Sequence, residues 1–193
     1  GLDEAGRGAV IGPLVIAGVS IEFKKESSLR KLKVRDSKLL KPKAREKLAK
    51  SIEKIAKDII VIKVAPCKID SLRKYGTNLN RIEAIRFIDA MEYLRPHRAY
   101  IDGFDTNLPR LKQFLSKMTN GIDIIVEHKA DVSYPIVSAA SIIAKVERDK
   151  EIHNLRKQNG NLGSGYPSDP ITISWLKVWI EANKDYPDFV RKS

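Results

Sequence analysis

The spacing of apolar residues changes several times along the chain, and each change marks an element. Ala9 to Phe23 is rich in Val and Ile and interrupted by Gly12-Pro13 and Gly18, which predicts a strand pair bent at the glycines. Pro42 is placed to open a helix in which Leu48, Ile52 and Ile55 recur on one side. Lys43, Lys47, Lys50, Lys54 and Lys57 occupy the remaining surface of that segment as a solvated face. Ile59 to Val64 reads as a strand and Pro66 to Arg73 as a short helix. Gly76-Thr77-Asn78 forms a capping turn for a helix from Leu79 to Leu94, with Ala84, Phe87, Ile88, Met91 and Leu94 as its core stripe. Tyr100-Ile101-Asp102 ends a short strand, Leu108 to Met118 is helical, and Ile122 to Glu127 is an apolar strand running into His128-Lys129-Ala130-Asp131. Pro135 opens a long helix to about Lys157, whose small side chains at 137–141 let it lie close against a sheet. A glycine-rich stretch, Gly160 to Pro170, precedes a last helix expected to bury Trp175, Leu176, Trp179 and Ile180. Early strands followed by strand–helix alternation indicate an α/β fold with a mixed sheet and a helical C-terminal portion. The expected organisation is a main domain over 1–157 with a loop and helix, 158–193, packed on it.

Charge narrows the partners. The 193 residues carry 36 Lys and Arg against 24 Asp and Glu, a net charge of +12, which favours polyanions and nucleic acid first. No stretch approaches a membrane span and no signal peptide is visible, so a cytoplasmic location is expected. The single cysteine, Cys67, excludes an internal disulfide framework and is expected to pack in a small core. The chain opens in mid-pattern, with hardly any strand before Asp3, which predicts that a few residues precede it in the complete protein.

Candidate chemistry begins with Asp3-Glu4-Ala5-Gly6-Arg7-Gly8. Two carboxylates at a strand end can hold a hard cation, and the glycines let backbone N–H groups approach a ligand; the competing reading is a charged hairpin turn. The stretch from Gly6 to Gly12 imitates a dinucleotide fingerprint, but its third glycine is one residue late, Pro13 opposes a helix there, and Asp3 and Glu4 would repel a pyrophosphate. Asp102 and Asp131 also sit at or just beyond strand ends, where ligands gather in α/β sheets. If those strands are neighbours, four carboxylates converge and need divalent cations to offset their repulsion. Mg²⁺ or Mn²⁺ suits such oxygen ligands, and a pair of ions about 4 Å apart can clamp the attacking and leaving oxygens of a phosphodiester. Otherwise the two acids merely end strands or cap turns. Asp105 and Asp149 compete for inclusion, although Asp149, beside Arg148 inside a helix, is better suited to an ion pair. His128 is expected to be structural.

Asp3-Glu4-Ala5-Gly6-Arg7-Gly8, Asp36-Ser37-Lys38, the Asp102 strand end, His128-Lys129-Ala130-Asp131, Ser138-Ala139-Ala140-Ser141-Ile142-Ile143-Ala144-Lys145 and Gly163-Ser164-Gly165-Tyr166-Pro167-Ser168-Asp169 occur in that order across nearly the whole chain. In this ordered set the sequence resembles type 2 ribonuclease H (ribonuclease HII), most closely the archaeal single-subunit form. The resemblance implies a ribonuclease H fold, a mixed sheet of about five strands flanked by helices. It implies Asp3, Glu4, Asp102 and Asp131 as metal-binding catalytic carboxylates for two Mg²⁺ or Mn²⁺ ions. It also implies that the backbone of Gly6-Arg7-Gly8, with Tyr166, reads the ribose 2′-hydroxyl at an RNA–DNA junction, the group that separates RNA from DNA. Arg7, Lys38 and Lys145 are the expected phosphate contacts and Asn78 a further backbone contact.

The function so implied is metal-dependent cleavage of RNA in RNA/DNA hybrids and 5′ of ribonucleotides embedded in duplex DNA, leaving 3′-hydroxyl and 5′-phosphate ends, in replication and repair. A monomer is expected, with a sliding clamp as possible partner through a C-terminal tail beyond this sequence. Two rivals stand beside this: a non-catalytic basic nucleic-acid-binding protein, and a two-metal nuclease of the same fold acting on DNA alone. The pairing of Gly6-Arg7-Gly8 with Tyr166 argues against the latter.

Overall fold

The structure, a computed structural model, describes residues 1–32 and 41–193; Asp36-Ser37-Lys38, with the expected phosphate contact Lys38, lies outside the described residues. Five strands form one sheet: β1 (Leu2–Ala5), β2 (Leu14–Ser20), β3 (Asp58–Val64), β4 (Arg98–Asp102) and β5 (Asp123–Glu127), in the order β3-β2-β1-β4-β5. β1, β2 and β3 pair antiparallel, whereas β4 runs parallel to β1 and β5 parallel to β4. The sheet is therefore mixed, and the chain leaves β1 toward one edge and returns on its other side as β4. That is the switch point at which α/β sheets open a crevice beyond their strand ends.

Helices cover both faces. On one lie α1 (Glu26–Lys31), α2 (Pro42–Ile55) and the long α7 (Pro135–Asn159). Leu29, Ala49, Ile52 and the 139–146 stretch of α7 pack there against Ala5, Val15, Ala17 and Val19. On the other lie α3 (Pro66–Lys74), α4 (Leu79–Leu94) and α5 (Leu108–Met118). Phe87, Ile88, Met91, Leu111 and Leu115 meet Leu2, Leu14, Ile16 and Ile101 on that side. Alternate residues of β1 and β2 thus feed opposite cores, as the two-residue period of a strand requires. Each fully enclosed Leu, Ile or Phe contributes roughly 1.5–3 kcal/mol of burial. A third cluster joins Ile11, Ile152, Leu162 and Val190 to Leu155, Trp175, Leu176, Tyr186 and Phe189, and ties α8 (Pro170–Asn183) and the last residues to the end of α7.

Several expectations change. Ala9 to Pro13 is not strand: it leads into β2, and within it Ile11 bridges Val190 near the chain's end. The short helices α1 and α6 (Ala130–Ser133) lack an apolar period long enough to announce them. Cys67 is exposed, not packed, because Pro66 and Ile69 take the buried side of α3 and residue 67 turns away from it. Trp175, Leu176, Trp179 and Ile180, expected to be buried, are all half-buried, with the Trp179 ring on Trp175 at 4.9 Å and its Nε1–H donating to the Asp185 carbonyl. α8 is covered from one side only, so its apolar stripe outruns its cover. Among the described residues no helix is long and apolar enough to cross a membrane.

Candidate active site

The parallel register sets the site. Leu2 pairs with Ile101, so Asp3 and Asp102, one residue further along each strand, emerge together at the crevice. β5 pairs with β4 through Asp102↔Glu127, and the turn after Glu127 brings Asp131, in α6, back over the same ends. The Ala130 N–H donates to Asp102 Oδ1 at 2.9 Å and holds that turn in place. One carboxylate oxygen each from Asp3, Asp102 and Asp131 then lies within 4.8 Å of the others. Asp3 and Asp131 are only 4% and 3% exposed, so little water screens their charges.

Glu4 is not one of the three acids whose oxygens all lie within 4.8 Å, but its side chain is hydrogen-bonded to that of Asp3. Adjacent strand residues leave the backbone toward opposite faces, and the longer Glu4 side chain still reaches the Asp3 carboxyl. It remains electrically part of the site, because Asp3 and Asp102 both raise its pKa, after burial itself, well above the usual carboxylate value. Its Oε2 is buried with no hydrogen-bond partner among the described residues. Burial, and secondarily the Asp102 charge, pushes Asp3 up to about 6, against hydrogen bonds from Ser141 and from the Glu4 N–H at 2.7 Å. A cluster of buried, mutually repelling acids with an orphaned oxygen is chemically suited to a hard divalent cation, for which an all-oxygen donor set is the normal one.

The first turns of α7 support the triad. Ser141 is fully buried beside Asp3, and Lys145, one turn on, donates to Ser141 Oγ at 2.8 Å. The small residues noted in the sequence let this helix come close enough for a serine to reach a strand carboxylate.

Next to the acids, the Gly6–Gly8 turn is held from several directions. The Gly6 N–H donates to the Tyr166 hydroxyl oxygen at 3.1 Å, and Gly6 adopts φ +83. Arg191 donates from Nη1 to the Arg7 carbonyl and from Nη2 to the Gly6 carbonyl, both at 2.6 Å. Arg148, 4% exposed, lies over the Tyr166 ring at 4.3 Å and donates to the Ser164 carbonyl at 3.1 Å. The Gly165 carbonyl accepts from the N–H groups of Val10 and Ile11. Tyr166 and the glycine turn, 160 residues apart, therefore form one surface. Gly8 faces solvent.

Other candidates are placed as follows. Arg7 forms an ion pair with Glu83 and donates to Asn80 Oδ1 at 2.6 Å, so its guanidinium is engaged on α4. Asn78 caps α4, its side chain accepting from the Arg81 N–H at 2.9 Å. Asp105 accepts from the Asn107 N–H and from Asn80, which hold its carboxyl below the usual value. Asp149 pairs with Arg45 at 2.6 Å on the surface between α7 and α2. One ring nitrogen of His128, Nδ1, lies 3.1 Å from the Gly103 carbonyl.

Glu83, Asn80, Arg148 and Arg191 were not singled out by sequence. A signal existed for two of them: Glu83 falls on the apolar stripe of α4 with Phe87 and Met91, and Arg148 on that of α7 with Ala144 and Ile152. A charge on a buried stripe needs a partner. Nothing local marks Arg191.

Comparison with known proteins agrees with this geometry. The family model for ribonuclease HII matches residues 1–193. A ribonuclease HII from Methanothermobacter thermautotrophicus is 46% identical over 196 residues, covering 100% of this chain and 94% of that protein. Among solved structures, the ribonuclease HII of Archaeoglobus fulgidus, in a complex with PCNA, superposes with a TM-score of 0.93 at 46% identity, covering 100% of this chain and 91% of that one. Ribonuclease H2 from Pyrococcus horikoshii gives a TM-score of 0.93 at 43% identity, with the same coverage of 100% and 91%.

Proposed function

Because this chain belongs to the ribonuclease HII family and is an endoribonuclease hydrolase, we propose that it cuts RNA in RNA/DNA hybrids and the bond 5′ of ribonucleotides embedded in duplex DNA, leaving 3′-hydroxyl and 5′-phosphate ends. The observation that carries the reading is the adjacency of two sites: three acidic oxygens within 4.8 Å, and beside them the Gly6 N–H and Tyr166 hydroxyl 3.1 Å apart.

Asp3, Asp102 and Asp131 are the residues to hold Mg²⁺ or Mn²⁺, with Glu4, hydrogen-bonded to Asp3, supplying its buried Oε2. When bound, such ions activate a water and stabilise the charge on the attacked phosphodiester. The rest is done by the protein's own groups. Tyr166 accepts from the Gly6 N–H, which leaves its own hydroxyl proton to donate to a ribose 2′-oxygen, while the glycine turn offers backbone at close range. A deoxyribose lacks that oxygen and leaves the phenol unpaired. Arg148 against the tyrosine ring keeps the phenol from swinging away. Lys145, anchored on Ser141, places a positive charge next to the acids for a backbone phosphate, and Lys38 and Asn78 extend the same contact to neighbouring nucleotides. The net charge of +12 supplies the general attraction to the duplex. The role is ribonucleotide and primer removal in the cytoplasm, and the Archaeoglobus fulgidus complex supports a sliding clamp as partner.

The test uses matched duplexes, one all DNA and one with a single ribonucleotide, incubated with Mg²⁺ or with EDTA. Cutting 5′ of the ribonucleotide with Mg²⁺ only is the expected result. Binding without cutting, or cutting of the all-DNA duplex, would reject it. Tyr166→Ala should slow cleavage at the single ribonucleotide by about 10- to 100-fold, the worth of one or two lost hydrogen bonds. An unchanged rate on that substrate removes Tyr166 from ribose recognition.

A further inference from the structure

Glu83 is an ionisable side chain with no solvent exposure, set in the stripe by which α4 meets the sheet, among Ala84, Phe87 and Met91. An apolar residue there would pack at least as well, because a buried carboxylate is unfavourable unless a cation compensates it. The compensating cation is Arg7, the centre of the glycine turn. One turn earlier on the same face of α4, Asn80 accepts from Arg7 Nη2 at 2.6 Å and donates from Nδ2 to Asp105 Oδ2 at 2.7 Å. The Phe104 ring lies 5.5 Å from the guanidinium and closes its third side. Glu83 and Asn80 therefore join two loops that leave neighbouring strands: the turn after Asp3 and Glu4, and the loop after Asp102. Arg191 holds the main-chain carbonyls of the same turn, so the turn is fixed at backbone and side chain alike.

We propose that Glu83, with Asn80, is a positioning residue for ribonucleotide discrimination: it draws the Arg7 side chain into α4 and so sets where the Tyr166 hydroxyl, held by the Gly6 N–H, meets the ribose. Arg7 on this view is a pin and not a phosphate contact. The inference rests on the reading of the glycine turn and Tyr166 as the 2′-hydroxyl site. A misplaced turn penalises a lone ribonucleotide most, because a continuous hybrid presents a 2′-hydroxyl at every nucleotide of the RNA strand.

Two measurements test it. In Glu83→Gln, kcat/KM on the single-ribonucleotide duplex should fall roughly 10- to 100-fold relative to kcat/KM on a hybrid, the scale of a displaced reacting geometry. Asn80→Ala and Arg7→Met should move the ratio the same way, and Arg7→Met combined with Glu83→Gln should lose no more than either alone. Equal losses on both substrates, no loss, or losses that multiply in the double variant would overturn the proposal. If Glu83→Gln does not fold, Asn80→Ala and Arg7→Met, on the partly exposed side of the cluster, decide the matter. The second measurement needs no cleavage: duplex binding in EDTA across a salt series, wild type against Arg7→Met. A pin leaves the slope of log K on log salt unchanged, whereas a lost phosphate contact makes it shallower by ~0.9 and overturns the inference. A wild type that binds but cuts no ribonucleotide removes the functional reading, and the salt slope still decides whether Arg7 is a pin.

Discussion

Asp3→Asn should cut a ribonucleotide-containing duplex at least roughly 10³-fold more slowly than the wild type, the several kcal/mol that a bound divalent ion is worth to a phosphoryl centre, and should at the same time be the more stable protein without metal. Both effects come from burial. The Asp3 carboxyl is raised from 3.8 to about 6, so the folded state holds its proton more tightly than the unfolded chain does. The stabilisation linked to that proton is present in full below about 3.8 and is lost as pH rises through about 6. At pH 7 in EDTA the wild type therefore carries a penalty of up to roughly 3 kcal/mol at this one site. Asparagine keeps the acceptor for the Glu4 N–H and abolishes the charge. A rise in melting temperature of roughly 3–10 °C at pH 7 in EDTA follows, shrinking to nothing near pH 4. Added Mg²⁺ should raise the wild type's melting temperature and leave that of the variant nearly unchanged. Asp123→Asn, at the far end of β5 and paired on the surface with Arg98, is the control and should cut at the normal rate. Calorimetry with and without EDTA, beside a cleavage assay, checks the whole set. A variant that cuts normally, or melts lower than wild type at pH 7 without metal, contradicts it.

Gly6→Ala should remove both folding stability and ribonucleotide cleavage. A Cβ at this position would stand 2.6 Å from the Pro13 carbonyl oxygen and 2.5 Å from Arg148 Nε. The arginine side chain can shift, but the Pro13 backbone, at the entrance to β2, has little room to yield. The residue also sits at φ +83, where an L side chain is strained by roughly 1–2 kcal/mol before any clash. Together these predict a loss of roughly 2–4 kcal/mol, at the upper end for a single methyl. Relief of the clash would push Arg148 off Tyr166 or move the Gly6 N–H away from the phenol, so the surviving folded protein should cleave a single ribonucleotide at least roughly 100-fold more slowly. Gly8→Ala offers a contrast within the same motif, because nothing lies within 4 Å of a Cβ there. Urea unfolding and single-turnover cleavage of the two variants settle the comparison. Equal behaviour of the two alanines would mean that the Gly6 contacts do not govern the turn.

Local chemistry made much of this protein legible in its sequence. The apolar period and the prolines at Pro42, Pro66 and Pro135 each mark a helix start at the residue where the helix begins. Asn78 was legible as a cap because capping is a contact over three residues. Asp102 and Asp131 were legible as ends of elements, and the ordered motifs brought them into one site with Asp3. The reading of Ala9 to Phe23 as two strands failed because β-branched residues suit any buried extended chain, and the chain before Leu14 pairs at only one point.

What the linear order of residues could not supply is which distant side chains answer one another. Arg191 reaches the Gly6 carbonyl across 185 residues, and no periodicity reports such a pairing. The approach of the Asp3, Asp102 and Asp131 oxygens to within 4.8 Å came from the strand register, and the engagement of Arg7 by Glu83 came from the packing of α4 on the sheet. Propensity, capping and patterning act within a turn or two of chain and can be read there. Charge pairing and backbone clamping depend on which surfaces meet, and these are set only when the sheet order brings β4 alongside β1 and the two helical layers close over them.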